Sequence, residues 1–356
     1  MKIESLAYSC KLKHTWTIAS GAKSGGGADI VPTTLVRISD GGTIGLGEGP
    51  SSNRYKESPE TIQAFLRKVD SSRLSFDDIP GSMDYLEKLG PGNYSAKCAV
   101  NVALVDGAAR KAGKAIYDLL GLGFSEKKHV SSFTIGIDTP SIIGKKVEEA
   151  ADYPVLKLKI GAPGERENLA ALRKVAPKTT IRVDANEGWE TKEEALRNLE
   201  WLAQDSHIEF VEQPMAAGTP VKDLAWLKER SPLPLFGDES YHQAKDVAQC
   251  AECYHGVNVK LLKTGGISAA YEALKAARKS GLKTMIGCMI ETSVLISAAA
   301  HLAELTDYLD IDGSLLTSND PYSGATAEKG AVSFASATEK TGLRVKPKNG
   351  DPFAGA

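Results

Sequence analysis

Residues 154–161, Pro-Val-Leu-Lys-Leu-Lys-Ile-Gly (PVLKLKIG), have the apolar run and the bounding Pro and Gly of a buried strand, yet they carry two lysines. Side chains on a strand alternate between faces. Leu156, Leu158 and Ile160 therefore share one face, and Lys157 and Lys159 share the other. The apolar face calls for a helix packed over it. The face with two ammonium groups calls for carboxylates to answer them, because burying unpaired charge is prohibitive.

The flanking sequence supplies both. From about residue 130 a strand-like run recurs at a nearly fixed interval, each followed by a stretch with helical periodicity: SSFTIGI, VLKLKIG, TIRVDAN, IEFVEQP, LFGDES, VNVKLLK, KTMIGCMIE and YLDIDGS. With Thr134, Leu158, Val183, Val211, Gly237, Lys260, Gly287 and Asp310 as markers, the steps are 24, 25, 28, 26, 23, 27 and 23 residues. Eight such units point to a parallel β/α barrel. A doubly wound sheet would favour a Gly-rich dinucleotide fingerprint after its first strand, and none is present. The last unit is incomplete, since Asn, Asp, Pro and Gly follow YLDIDGSLL where a helix should start. The tail is expected to leave the barrel and pack on the N-terminal region. That region reads as an α+β cap, with a hairpin turning at Asp40, Gly41 and Gly42 and helices in SPETIQAFLRKV and SAKCAVNVALVDGAARKAG.

Composition narrows the function classes. The chain has 356 residues, 42% hydrophobic and 25% charged, ordinary values for a globular protein. A net charge of -2 gives no basic footprint for nucleic acid or an anionic membrane, so a small-molecule partner is expected. No segment is apolar for the length needed to span a bilayer. The start, MKIESLAYSCKLKHTW, lacks a signal-type apolar run, so the expectation is cytoplasmic, with homo-oligomerisation left open. Three motifs read as structural. Cys250 and Cys253 form a CxxC without a second pair, expected to pack a helix; residues 20–29 (SGAKSGGGAD) lack the ending of a phosphate loop and are expected to form a loop; residues 45–49 (GLGEG) are expected to serve turn chemistry.

Applied to every strand, the alternation rule turns a set of charged side chains inward near the C-terminal strand ends, where barrel enzymes build their sites. They are Lys157 and Lys159, then Asp184 with Arg182 and Asn186, Glu212, Asp238, Lys260 with Asn258, and Asp310 with Asp312. Carboxylates on three consecutive strands make a hard oxygen cage suited to Mg²⁺. The six histidines show no zinc spacing. Strands two and six are opposed in an eight-stranded ring, so Lys159 and Lys260 face each other across the mouth. A substrate carboxylate on the metal would hold its α-carbon between two amines, the geometry for stereochemical inversion by proton removal on one face and delivery on the other. Lys159 is the natural base, with Lys157 tuning it and binding the substrate carboxylate. Asp310 and Asp312 would attract a cationic group at the substrate's far end, their structural alternative being a capping role.

At these residues the sequence resembles the enolase superfamily, its muconate-lactonising subgroup, and within that the dipeptide epimerases. The motifs are KLK at 157–159, DAN at 184–186, VEQP at 211–214, GDES at 237–240, NVKLLKTGG at 258–266 and DID at 310–312. The resemblance implies a capping domain over residues 1–128, a modified (β/α)7β TIM barrel over 129–314 and a C-terminal tail, 315–356, completing the cap. It implies Asp184, Glu212 and Asp238 as Mg²⁺ ligands, Glu239 and Asn186 as supports, Lys159 and Lys260 as acid/base catalysts, and the DID aspartates as the holders of a peptide's α-ammonium. A substrate such as L-Ala-D/L-Glu, from murein peptide recycling, is the implied reading. The cap loop that would meet a glutamate side chain has no arginine between Trp16 and Ile30, leaving Lys23 and, further on, Arg54 as the cations at hand. The alternatives are N-acylamino acid racemase, o-succinylbenzoate synthase or muconate cycloisomerase activity, a lysine Schiff-base aldolase, and a non-catalytic peptide-binding protein.

Overall fold

All eight marker residues fall in strands of one parallel sheet in the computed structural model, which describes residues 1–24 and 26–354. The chain begins with an antiparallel sheet of β1 (Lys2–Trp16), β2 (Ala28–Asp40) and β3 (Thr43–Pro50), with helix α1 (Ala19–Ser24) between the first two strands. Helices α2 (Pro59–Leu66), α3 (Ile79–Leu89), α4 (Tyr94–Lys111) and α5 (Ile116–Leu119) complete the cap. The β2–β3 hairpin turns on Gly41 and Gly42, both at positive φ, as the sequence predicts.

The glycine run that follows does something other than turn chemistry. Gly45 and Gly47 lie inside β3, and a Cβ on either would come within 1.9 Å of a carbonyl of α4, Ala103 or Ala99. The run lets the helix backbone settle directly on the sheet. A second expectation is also corrected. Ala19–Ser24 is helical rather than loop, because Ala19 has an apolar seat against Ile137 and Ala162.

The barrel strands are β4 (Phe133–Ile135), β5 (Val155–Lys159), β6 (Thr180–Asp184), β7 (Ile208–Glu212), β8 (Leu235–Gly237), β9 (Gly256–Lys260), β10 (Lys283–Gly287) and β11 (Tyr308–Asp310), in chain order around the sheet. A parallel bridge between Ser131 and Leu309 brings β11 back to the start of β4 and closes the ring. Outside run α6 (Pro140–Glu149), α7 (Glu165–Val175), α8 (Lys192–Leu202), α9 (Val221–Arg230), α10 (Val247–Cys253), α11 (Leu261–Thr264), α12 (Ile267–Lys279) and α13 (Ser293–Ala300). Leu156, Leu158 and Ile160 are buried in the core formed with these helices, as their face requires. Cys250 and Cys253 are buried on α10 with their thiols directed at the Ser240 and Val221 carbonyls, so the CxxC packs.

After β11 no long helix follows among the described residues. The chain instead returns to the cap: Thr317 bridges Leu12, Asn319 accepts a bond from the Lys11 N–H at 2.7 Å, and the Leu343 N–H donates to Asp106 on α4 at 2.7 Å. Cap and barrel are also stapled through Glu48 of β3. Its buried carboxylate accepts from the Thr292 N–H (3.0 Å) and hydroxyl (2.6 Å) and the Leu295 N–H (3.3 Å), capping the first turn of α13. No helix among the described residues is long and apolar enough to cross a membrane.

The barrel interior has two layers. Toward the N-terminal strand ends, Phe210 and Phe236 stack with ring centroids 4.2 Å apart, Met285 and Tyr308 pack beside them, and the Arg182 guanidinium lies 4.9 Å from the Tyr308 ring centre. Two residues further along the strands, the lining becomes ionic.

Candidate active site

The register of the sheet assembles the ionic layer. Lys159 pairs with Asp184 across β5 and β6, and Asp184 pairs with Glu212 across β6 and β7. Asp238 lies just beyond the end of β8, and Lys260 is the last residue of β9. All are buried, as are Lys157, Asp310 and Asp312. Sequence alternation therefore brings together the predicted lysines and the predicted carboxylates.

The three carboxylates share one arrangement. Each has one oxygen held by a neighbour: Asp184 Oδ1 by the Asn186 N–H (2.9 Å), Glu212 Oε1 by the Asn258 amide (2.8 Å) and Asp238 Oδ1 by the Lys263 ammonium (2.5 Å). The second oxygen of each meets an ammonium group. Asp184 Oδ2 lies 2.6 Å from Lys159 and 3.0 Å from Lys157; Glu212 Oε2 lies 2.8 Å from Lys157; Asp238 Oδ2 lies 2.8 Å from Lys260.

These charges set the proton affinities. Burial alone would raise Asp184, but Lys157 and Lys159 outweigh it and bring the carboxyl down to about 2. Asp238 is likewise carried well below the usual range, Lys260 and Lys263 overcoming burial. Glu212 goes the other way, to about 7, because burial and the Asp184 charge exceed the help from Lys157. Lys157 and Lys260 are held well above an ordinary lysine: burial disfavours their charge, and the carboxylates around them more than offset it.

Among the described residues no three His, Cys, Asp or Glu stand together as a ready-made metal set, and Lys157 lies within 3.0 Å of both Asp184 and Glu212. The donor chemistry nonetheless fits a hard divalent cation. Three carboxylate oxygens are left over by the scaffold, and Glu212 Oε2 has no directed hydrogen bond despite its nearby ammonium. Beside them, Glu239 Oε2 and Asn186 Oδ1 are buried without hydrogen-bond partners. Burial and the charges of Asp238 and Asp184 push Glu239 up to about 8, which identifies it as the neighbour that answers to the same charge cluster. The backbone is strained here as well, with Asn186, Glu187 and Gln213 all at positive φ just after β6 and β7.

The other predicted residues take partners that the sequence does not show. Lys157 places its ammonium against three carboxylates, the third being Asp310 at 2.7 Å. Asp310 is correspondingly committed, since it also accepts from the Ser132 hydroxyl at 2.8 Å. Asp312 takes the Thr134 N–H on one oxygen at 2.6 Å and has the Cys288 thiol 3.9 Å from the other, and burial together with the Asp310 charge raises it to about 7. Arg54 turns to Glu187 at 2.8 Å and so ties the cap to a barrel loop. The side chain of Lys23 lies outside the described residues.

Two residues at the site escape the alternation rule. Lys263 follows β9 on the short helix α11, where the period changes from two to 3.6 and an i, i+3 relation returns it to the side of Lys260. Tyr55, in the turn Asn53–Tyr55 of the cap, packs edge-on against His242 with ring centres 5.4 Å apart, and the charges of Asp238 and Lys260 reach its phenol. Its helical spacing or pairing partner is not written locally.

Known proteins share this arrangement of cap and barrel. The family pattern described as Enolase C-terminal domain-like matches residues 143–341, and that of the mandelate racemase / muconate lactonizing enzyme N-terminal domain matches residues 15–121. A relative from Pedosphaera parvula, named L-Ala-D/L-amino acid epimerase, is 65% identical over 98% of this chain and 100% of its own length. The substrate-liganded L-Ala-D/L-Glu epimerase of Bacillus subtilis superposes with a TM-score of 0.89 at 26% identity, covering 98% of both chains. A dipeptide epimerase of Enterococcus faecalis V583, complexed with Mg and L-Leu-L-Tyr, gives 0.86 at 27% identity over 97% of this chain and 99% of its own. Fold, charged barrel mouth and sequence agree: the chain belongs to the mandelate racemase / muconate lactonizing enzyme family of the enolase superfamily, among relatives named as epimerases.

Proposed function

We propose that the protein is a Mg²⁺-dependent dipeptide epimerase that inverts the α-carbon of the C-terminal residue. The observation that carries this reading is the placement of Lys159 and Lys260 on strands four apart in a ring of eight, with carboxylates of the intervening strands between them. Asp184 Oδ2, Glu212 Oε2 and Asp238 Oδ2 would hold the cation. Bound there, it supplies positive charge that acidifies the α-proton of a substrate carboxylate and takes up the charge that develops as the proton leaves. Lys159 and Lys260 then act from opposite faces, one accepting the α-proton and the other donating one. Lys157 holds the ligand strands to β11 through Asp310. Asp312 receives the peptide's α-ammonium. The lower, aromatic layer excludes water from below.

The names of the relatives support a dipeptide, and L-Ala-D/L-Glu is the specific candidate. Recycling of murein peptides is the role that substrate would imply. Asp312 favours this over an N-acylamino acid, which has no free amine for it to meet. Incubation of L-Ala-L-Glu and a dipeptide panel in D₂O tests the reading. Deuterium should enter the α-position of the C-terminal residue, with loss of the signal in EDTA and its return with Mg²⁺. Exchange of an N-succinyl amino acid in place of every dipeptide would overturn it.

A further inference from the structure

The sheet register accounts for two of the three carboxylates and leaves the third unexplained. Asp184 and Glu212 are paired in the ladder, and the Ala185 N–H donates to the Glu212 carbonyl at 3.0 Å. The ladder between β7 and β8 also ends at Glu212, opposite Phe236. Asp238 lies two residues beyond that pair, past the end of β8.

The Gln213 side chain ties this segment back to the end of β7, while Lys263 holds Asp238 Oδ1 from β9's side. Gln213 is fully buried, and its Oε1 accepts from the Asp238 N–H at 2.8 Å and the Ser240 N–H at 3.2 Å. Its Nε2 donates to the Met215 carbonyl (2.8 Å) and lies 3.0 Å from the Ser240 hydroxyl and 3.2 Å from the Tyr254 hydroxyl. Two N–H donors on one atom and a carbonyl on the other fix the orientation of the amide. The backbone of the same residue serves the other loops: its N–H donates to the Phe236 carbonyl at 2.8 Å, and its carbonyl accepts from the Glu187 N–H at 2.9 Å. Three loops, each following a carboxylate, thus converge on one residue. Its φ of +37 shows that the chain adopts a conformation L-residues avoid in order to reach them.

We propose that Gln213 is a positioning residue for the cation site, its amide setting where the Asp238 carboxylate stands relative to Glu212 and Asp184. This rests on the reading that those three residues bind the cation, and it adds a residue that touches neither cation nor substrate. Partners of this kind commonly control metal affinity by about 10–100-fold when they orient a ligand.

The test measures binding of Mn²⁺ alone by electron paramagnetic resonance, without substrate, to wild type, Gln213→Met, Gln213→Glu and Tyr254→Phe, alongside thermal melting in EDTA. Gln213→Met keeps the length of the side chain and loses every polar contact, so Mn²⁺ should bind about 10–100-fold more weakly. Gln213→Glu keeps an acceptor for the Asp238 N–H and should recover part of that loss. Tyr254→Phe trims only the far side of the amide and should bind like wild type; it and the glutamate variant carry the test if the methionine variant does not fold. Wild-type affinity in both Gln213 variants, with only the melting temperature lowered, would overturn the proposal and reduce the residue to a structural role. Failure of wild type to bind Mn²⁺ would instead sink the metal reading itself, and this inference with it.

Discussion

The two layers inside the barrel are built from the same strands and differ by one step of the strand period. β6 passes from Arg182 to Asp184, β7 from Phe210 to Glu212, β11 from Tyr308 to Asp310, and on β8 Phe236 is followed two residues on by Asp238. In the lower layer burial is stabilised by ring stacking, and its one guanidinium is satisfied by Glu209 at 2.8 Å, the Leu309 carbonyl at 2.8 Å and flanking aromatic faces. In the upper layer burial is tolerable only because ammonium and carboxylate groups alternate. The contrast teaches that the barrel buys its chemistry at one end with stability from the other.

The largest expected effect comes from breaking the ionic layer at its centre. Lys157→Met removes one ammonium and leaves Asp184, Glu212 and Asp310 without it, which should cost about 3–5 kcal/mol. Denaturation in EDTA measures the loss, and added Mg²⁺ should restore part of it because two of those carboxylates regain a counter-charge. A carboxyl with no ammonium sharpens the comparison from the opposite side. Burial pushes Glu48 up to about 7, against the pull of its Thr292 and Thr33 hydrogen bonds. Its folded affinity for a proton therefore exceeds that of the unfolded chain. The stability it contributes is fully present below about pH 4.5 and is lost as pH rises through 7, on the order of 3 kcal/mol over the interval. Melting curves of Glu48→Gln should show this slope flattened between those values.

In the aromatic layer, Phe210→Leu should lower stability by about 1–3 kcal/mol through lost packing, with Mn²⁺ affinity close to wild type. A parallel loss of metal binding would show that the layers are not separable. The smallest effect is at the rim. Arg54 is half-exposed, so Arg54→Ala should change stability by less than about 1 kcal/mol in chemical denaturation.

The parts of this design that were legible in the sequence are those governed by a fixed period. The steps between markers locate the strands, and alternation in PVLKLKIG, TIRVDAN and IEFVEQP turns the right side chains inward. Alternation does not say which partner an inward charge will choose. Lys157 and Asp310 meet across strands that the chain separates by 153 positions, so their pairing becomes visible only when the ring is closed. Lys263 and Gln213 stand where the strand period has ended, Lys263 on the short helix α11 and Gln213 in the loop after β7, so strand alternation does not reach them. The glycines of GLGEG mislead for a related reason: what they accommodate is α4, a helix about fifty residues away in the chain.

If two amines act on one carbon from opposite sides, exchange in D₂O with each lysine removed in turn separates their contributions. Lys159→Ala and Lys260→Ala, each given L-Ala-L-Glu and L-Ala-D-Glu separately, should fail to interconvert the epimers. Each variant should still exchange the α-proton of one epimer, and the two variants should select opposite epimers. If either variant interconverts both epimers at the wild-type rate, or both variants exchange the same epimer, the amines do not flank the carbon and the account is wrong.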